Sequence, residues 1–281
     1  MNELRAKVTA VLSGTPIEKE YRLVDEGIRR TVALVGSFDA SAYDPRAVAT
    51  ARDAWTQRMA LEHRSTAVFG ALSLQLIEAN ASLDAKLVML RMAQDELRHT
   101  ETCAEVVRAL GGEPACTTDV TVAPLATHQG CPVEERALRN VVYTTCLSEM
   151  VAIARLVDEM DSTRDAFLRD ATRRLLADEV LHGQFGFHYL ESWRGWLEER
   201  PEVMRSLERY LQHAFAVIEG VLAPETTREH RLSEDELALG LSPHERGRTI
   251  FFETMEQAIV PGLERFGLDA SRAWRERRKL A

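Results

Sequence analysis

The sequence predicts an all-α chain organised around four long helices between residues 45 and 200. Apolar residues recur three and four apart through most of the chain, and no segment alternates as a strand does. Prolines fall between the long periodic segments of that region rather than inside them. Two of those segments carry the same pattern, Asp-Glu-x-x-His, at Asp95–His99 and Asp178–His182. Residues three apart on a helix share a face, about 5–6 Å apart at Cβ, so each copy aims a carboxylate and an imidazole in one direction. A single Glu-x-x-His is a common accident in a chain with 8 His and many Glu; a second copy with the same preceding Asp is not.

In chain order, Leu4, Val8 and Val11, then Ile28, Val32 and Val35, suggest two short helices, separated by Gly14 and Pro16 and closed by Gly36. Residues 1–44 therefore read as a helical arm. Pro45 suits the first turn of a helix running to about Asn80. Its periodic face holds Met59, Glu62, Thr66, Phe69, Leu72 and Leu76, and Glu62 is the odd member. Ser82 caps the second helix after a very short link, which makes the two antiparallel neighbours. That helix carries Glu96 and His99 and stops at Gly111-Gly112. A long connection, 112–132, leads to a third helix from Val133, with Val142, Cys146, Glu149, Ile153 and Leu156 facing inward. Ser162 and Asp165 resemble a capping box for the fourth helix, expected to reach Glu199, with Pro201 ending or kinking it. The domain reading is thus 1–44 arm, 45–200 core, and 201–281 further helices packed on the core. Those last helices are 202–222, then about 243–266, with Ser242 as cap, Pro243 at the first position and a kink at Pro261.

The length suits one large domain or one and a half, and 45% hydrophobic content suffices for a core. A net charge of −9 argues against a nucleic-acid partner. The basic stretch from Arg272 to Lys279 reads as a solvated end. The N-terminus carries no signal-like apolar run and no stretch is expected to span a membrane, so no membrane partner is expected. Cys103, Cys116, Cys131 and Cys146 form no Cys-x-x-Cys pair, which argues against a zinc ribbon or rubredoxin-like iron site. A disulfide framework is equally unexpected at this size, so the expected location is cytoplasmic.

Each core helix supplies one carboxylate: Glu62, Glu96, Glu149 and Glu179. The second and fourth add His99 and His182. Glu62 and Glu96 are 34 positions apart, Glu149 and Glu179 30; each is one helix up, a turn, and one helix down. Four carboxylates buried together without cations would protonate or unfold the chain. Two divalent metals balance them, and oxygen and imidazole donors suit iron or manganese. A metal-bound imidazole usually gives its other N–H to a carboxylate, so Asp95 and Asp178 are candidates to orient the two histidines.

The order Glu, Glu-x-x-His, Glu, Glu-x-x-His resembles the ligand set of the ferritin-like di-iron carboxylate superfamily. Glu62-His63-Arg64-Ser65, Ala93 to His99 and Ala177 to His182 look like its stand-alone bacterial oxidase or oxygenase branch, over residues 50–195. The resemblance implies a ferritin-like four-helix bundle with additional terminal helices. It implies two Fe, with Mn or mixed Mn/Fe as variants. Glu62 and His99 would bind one metal, Glu149 and His182 the other, and Glu96 and Glu179 would bridge. Storage ferritins are shorter and usually lack the second Glu-x-x-His. Arylamine N-oxygenases of the superfamily carry an extra His at the position of Leu175; His188 and His213 are the substitutes within reach.

The expected activity is therefore O2-dependent oxidation or oxygenation of a small organic substrate. The chain bears no flavin, nicotinamide or iron–sulfur signature, so an external electron donor is expected, and a homodimer is left open. The alternatives are a ferroxidase or peroxide-handling protein without organic substrate, and a metal-free helical binding scaffold. No catalytic residue is expected beyond the metal ligands. A pocket is expected beside Gly186, one turn beyond His182, because glycine inside a helix costs about 1 kcal/mol and so marks room, a bulge or close packing. Thr66, Cys146, Phe185 and Tyr189 would line it with Gly186.

Overall fold

The computed structural model describes residues 3–7, 34–119, 125–225 and 231–280, and the chain is mostly helical. Helix α1, Pro45–Glu78, has Pro45 in its first turn, and the Asp44 carboxylate accepts from the Arg46 N–H. Four residues, with Asn80 at positive φ, return the chain into α2, Leu83–Ala109, where the Ser82 side chain accepts from Ala85 N. This antiparallel pair is the most extensively packed in the molecule. Positive-φ Gly111 follows the end of α2.

Helix α3 is continuous over Val133–Ser162, with a π-helical segment at Val142–Glu149. By length and composition alone it could cross a membrane, contrary to the expectation that no stretch would. Here it is a half-buried core helix carrying Glu149. Helix α4, Ala166–Ser192, starts at Asp165, whose carboxylate accepts from Leu168 N. Ser162 takes no part in that cap: it closes the last turn of α3, donating to the Glu159 carbonyl. The expected single helix to Glu199 breaks at Trp193, and α5, Arg194–Glu198, is separate.

Pro201 opens α6, Pro201–Leu222, rather than kinking its predecessor. A short α7, Glu234–Ala238, follows with a complete Ser233/Glu236 capping box. Helix α8 covers residues 244–264 in three parts, His244–Thr254, a π turn Met255–Ile259, and Val260–Glu264. It begins one residue later than expected, with no side-chain cap. Pro261 lacks an N–H and its ring crowds the preceding turn; the wider π turn just before it relieves this without breaking the helix.

The ends depart further from expectation. Glu3–Lys7 is a strand, β1, not a helix, and pairs antiparallel with β2, Ala115–Asp119, with Leu4 opposite Thr118. Ladder hydrogen bonds to a distant segment override the weak helical spacing of Leu4. Val8, Val11, Ile28 and Val32 lie outside the described residues. Val35 is exposed and non-helical, and its N–H donates to Asp170 Oδ2 on α4 at 3.1 Å. The basic stretch is not a solvated end: α9, Ala270–Glu276, and the turn after it fold back, and Arg277 and Arg278 pair with Glu219 of α6.

The apolar interior falls into two clusters. One gathers Phe69, Met92, Leu147 and Phe185 with the C-terminal helices, through Phe215 and Phe251. The other gathers Trp55, Met59, Cys103, Leu156, Leu168 and Leu175. Each of α1 to α4 passes from one cluster to the other; α1, α2 and α4 carry a candidate carboxylate at the crossing, and α3 carries Glu149 just before it.

Candidate metal centre

Glu62 stands between Met59 and Phe69, Glu96 and His99 between Met92 and Cys103, Glu149 between Leu147 and Leu156, and Glu179 and His182 between Leu175 and Phe185. The six side chains form one polar layer between two apolar ones. Glu62, Glu96, His99 and Glu179 bring donor atoms within 4.8 Å of one another, as do Glu149, Glu179 and His182. Glu179 belongs to both groups. Its Oε1 lies 3.2 Å from His99 Nδ1, and its Oε2 lies 3.0 Å from His182 Nδ1. Glu62 Oε2 is 3.5 Å from His99 Nδ1, and Glu96 Oε1 is 3.1 Å from His182 Nδ1. Both imidazoles thus turn Nδ1 inward.

Their outward nitrogens meet the two aspartates in a crossed pattern. His99 Nε2 faces Asp178 Oδ2 and His182 Nε2 faces Asp95 Oδ2, each at 3.5 Å. Each histidine is therefore oriented by the neighbouring helix, not by the Asp of its own pattern. Two arginines clamp the aspartates: Arg98 contacts Asp95 and donates to Asp178 Oδ2 at 3.0 Å, and Arg91 Nε donates to Asp95 Oδ1 at 2.6 Å. The sequence reading passed over both, although Arg91 stands at the i,i+4 distance from Asp95 and Arg98 lies inside the pattern.

Burial pushes the Glu96 carboxyl up to about 8, and pushes Glu149 up as well, helped by Glu179 and Glu96 beside it. Burial also opposes charge on Glu179, but the two imidazoles beside it override this and its carboxyl stays well below the usual range. Burial would lower His182; Asp95, Glu179 and Glu96 raise it instead, to about 12. His99 is raised in the same way by Asp178, Glu179 and Glu62. Protons on imidazole and carboxyl thus do the neutralising that a cation would otherwise do.

The donor set fits a metal ion on a second ground. His99 Nδ1, His182 Nδ1, Glu96 Oε1 and Glu179 Oε2 are all buried without a well-formed hydrogen bond among the described residues. Buried polar atoms are rarely left so, and these point at one another. A buried carboxylate and imidazole cluster of this kind could hold a metal ion.

The space expected beside Gly186 is not there. A Cβ on Gly186 would collide with the Thr145 hydroxyl and the Cys146 thiol and lie 3.1 Å from Cys146 N. The glycine lets α4 press against the π segment of α3. Gly183 lets α4 press against the part of α3 just after it, with Ile153 Cδ1 at 2.5 Å from its would-be Cβ. Cys146, Phe185 and Tyr189 are buried core, and Thr66 is half-buried, its hydroxyl donating to Glu62 O at 3.4 Å. None of the five lines the cavity that Glu149 reaches. His188 is exposed and His213 lies on α6; neither joins the cluster.

That cavity, about 780 Å³, lies elsewhere, bounded by α1, α3, α6 and residues 125–128. Of the six candidate ligands only Glu149, at the end of the π segment, lines it. Sequence periodicity assumes 3.6 residues per turn and gave no sign of that segment. The β-branched and aromatic run from Val141 to Thr145, whose last residue faces Gly186, is the trace it leaves. Comparisons with family models, curated proteins and solved structures returned no match, so the functional reading rests on the geometry of the site.

Proposed function

We propose that this layer binds two divalent metals and that the chain is an O2-activating, non-haem di-iron oxidoreductase acting on a small organic substrate. On this reading α1 to α4 are a ferritin-like four-helix bundle. The observation that carries it is Glu179, whose two oxygens reach two different imidazoles, as a carboxylate bridging two ions requires. Glu62 and His99 would hold one ion, Glu149 and His182 the other, and Glu96 would complete the bridge. Iron, manganese or one of each suits these oxygen and nitrogen donors. When bound, a redox-active pair supplies the reduction of O2, with electrons from an external donor. The chain's own residues do the rest. Asp95 and Asp178 hold the imidazoles with Nδ1 inward, the two apolar clusters exclude bulk water, and the cavity gives a small molecule a route to Glu149.

The test is metal analysis of protein loaded with iron or manganese, coupled to O2 uptake with and without organic substrates. About two metals per chain and substrate-dependent uptake are expected. Rapid iron oxidation indifferent to every organic compound would make it a ferroxidase instead, and no metal under any loading would leave a helical scaffold.

A further inference from the structure

The cavity that reaches Glu149 has a charge opposite to that of the molecule. The chain carries −9 overall, yet Arg64, Arg139, Arg209, His128 and His213 line this one space, and Glu149 is the only acid among the described residues that line it. Arg139 is engaged, donating to Glu135 Oε1 at 2.6 Å and Ser206 Oγ at 2.9 Å, and stacked over Tyr210. Arg64 on α1 and Arg209 on α6 have no ion pair among the described residues, and both are exposed at the cavity's edge. Apolar side chains, among them Val68, Tyr143 and Ala214, line the same space. The volume suits a small molecule.

We propose that this cavity binds a small organic carboxylate with an apolar body, its carboxylate on Arg64 and Arg209 and its body against the apolar wall of Val68, Tyr143 and Ala214. Guanidinium groups match a carboxylate in shape and charge. This names the substrate class of the site proposed above and rests on that reading.

The experiment is calorimetric titration of the metal-loaded full chain with octanoate, octan-1-ol and octylamine, on wild type, Arg64→Gln, Arg209→Gln and the double variant, with metal content measured on every sample. Octanoate should bind wild type more tightly than either analogue. Each substitution should weaken octanoate about tenfold, in line with the loss of one charged hydrogen-bond donor, and leave octan-1-ol unchanged. Metal content should stay at the wild-type level throughout. Octanoate binding no tighter than octan-1-ol, or unchanged in the double variant, overturns the proposal. If metal is bound and octanoate is not, this inference fails alone. If octanoate binds a chain that takes up no metal, the anion cavity stands and the di-metal reading fails.

Discussion

Asp95 and His182 face each other across the contact of α2 with α4, Oδ2 to Nε2, at 3.5 Å, although they lie 87 positions apart in the chain. The reciprocal pair, Asp178 and His99, has the same spacing. Each Asp thus sets the other helix's imidazole, and each ligand's orientation depends on the packing of the two helices. The two aspartates differ in burial: the Asp95 side chain is 1% exposed and that of Asp178 31%. Asp95→Asn and Asp178→Asn should each weaken metal binding about 10–100-fold. Asp95→Asn should also lower the melting temperature of the metal-free protein more, because Asp95 itself is buried and its loss leaves half-buried Arg98 short of a counter-charge. Equal melting temperatures and metal affinities for both variants and wild type would show that neither Asp orients a ligand.

Glu179 and Glu62 separate in stoichiometry. Glu179 belongs to both donor groups and Glu62 to one. Glu179→Ala should abolish binding at both positions, whereas Glu62→Ala should leave about one metal per chain. Elemental analysis decides it; retention of two metals by Glu179→Ala would exclude the bridging role.

The metal-free protein should lose stability as pH rises above neutrality. Glu96, raised to about 8, and His182, raised to about 12, both keep a proton in the folded state that the unfolded chain gives up earlier. When the folded state binds more protons, stability falls with increasing pH. The Glu96 part is lost between its unfolded value near 4.5 and about 8, and the His182 part between about 6.5 and 12. Glu179, held low, acts in the opposite sense and only under acid, below its ordinary range. Metal displaces these protons, so the stabilisation it confers should grow with pH. Thermal melts of chelator-treated and metal-loaded protein at pH 6 and pH 8 measure both slopes; parallel curves would contradict this account.

Gly186→Ala should be tolerated poorly. One methyl group meets Thr145 and Cys146 on the segment that carries Glu149. Overpacking of this kind costs about 1–3 kcal/mol. The expected result is a lower denaturation midpoint together with weaker metal binding at the Glu149 side, while Gly195→Ala, where an added Cβ meets nothing within 4 Å, changes neither.

The helical class and the gathering of the six Glu and His side chains were legible because both follow from spacing along single helices. A repeated Asp-Glu-x-x-His needs no knowledge of packing to put a carboxylate and an imidazole on one face. The crossed Asp pairing was not legible, because it depends on how α2 and α4 are rotated against each other. Gly186 misled for a related reason. A glycine inside a helix marks either room or close approach, and only the Thr145 and Cys146 side chains decide between them. The true cavity arises where α6 meets α3, a relation between residues distant in sequence with no local trace. Strand β1 was lost to the same cause, its partner β2 lying more than a hundred residues away.

The π segment of α3 makes its two halves separately adjustable in azimuth. In a regular α-helix each residue advances about 100°, so Arg139, Tyr143 and Glu149 would keep fixed angles to one another. Widening the turns over Val142–Glu149 breaks that relation. The stretch before it can be phased to the cavity wall and the stretch after it to the metal layer. Removing one residue from this segment would leave every side chain of the site intact in composition, yet swing Glu149 out of line with the histidines. The number of residues in the widened segment, as much as the choice of ligands, sets whether cavity and metal layer open onto each other.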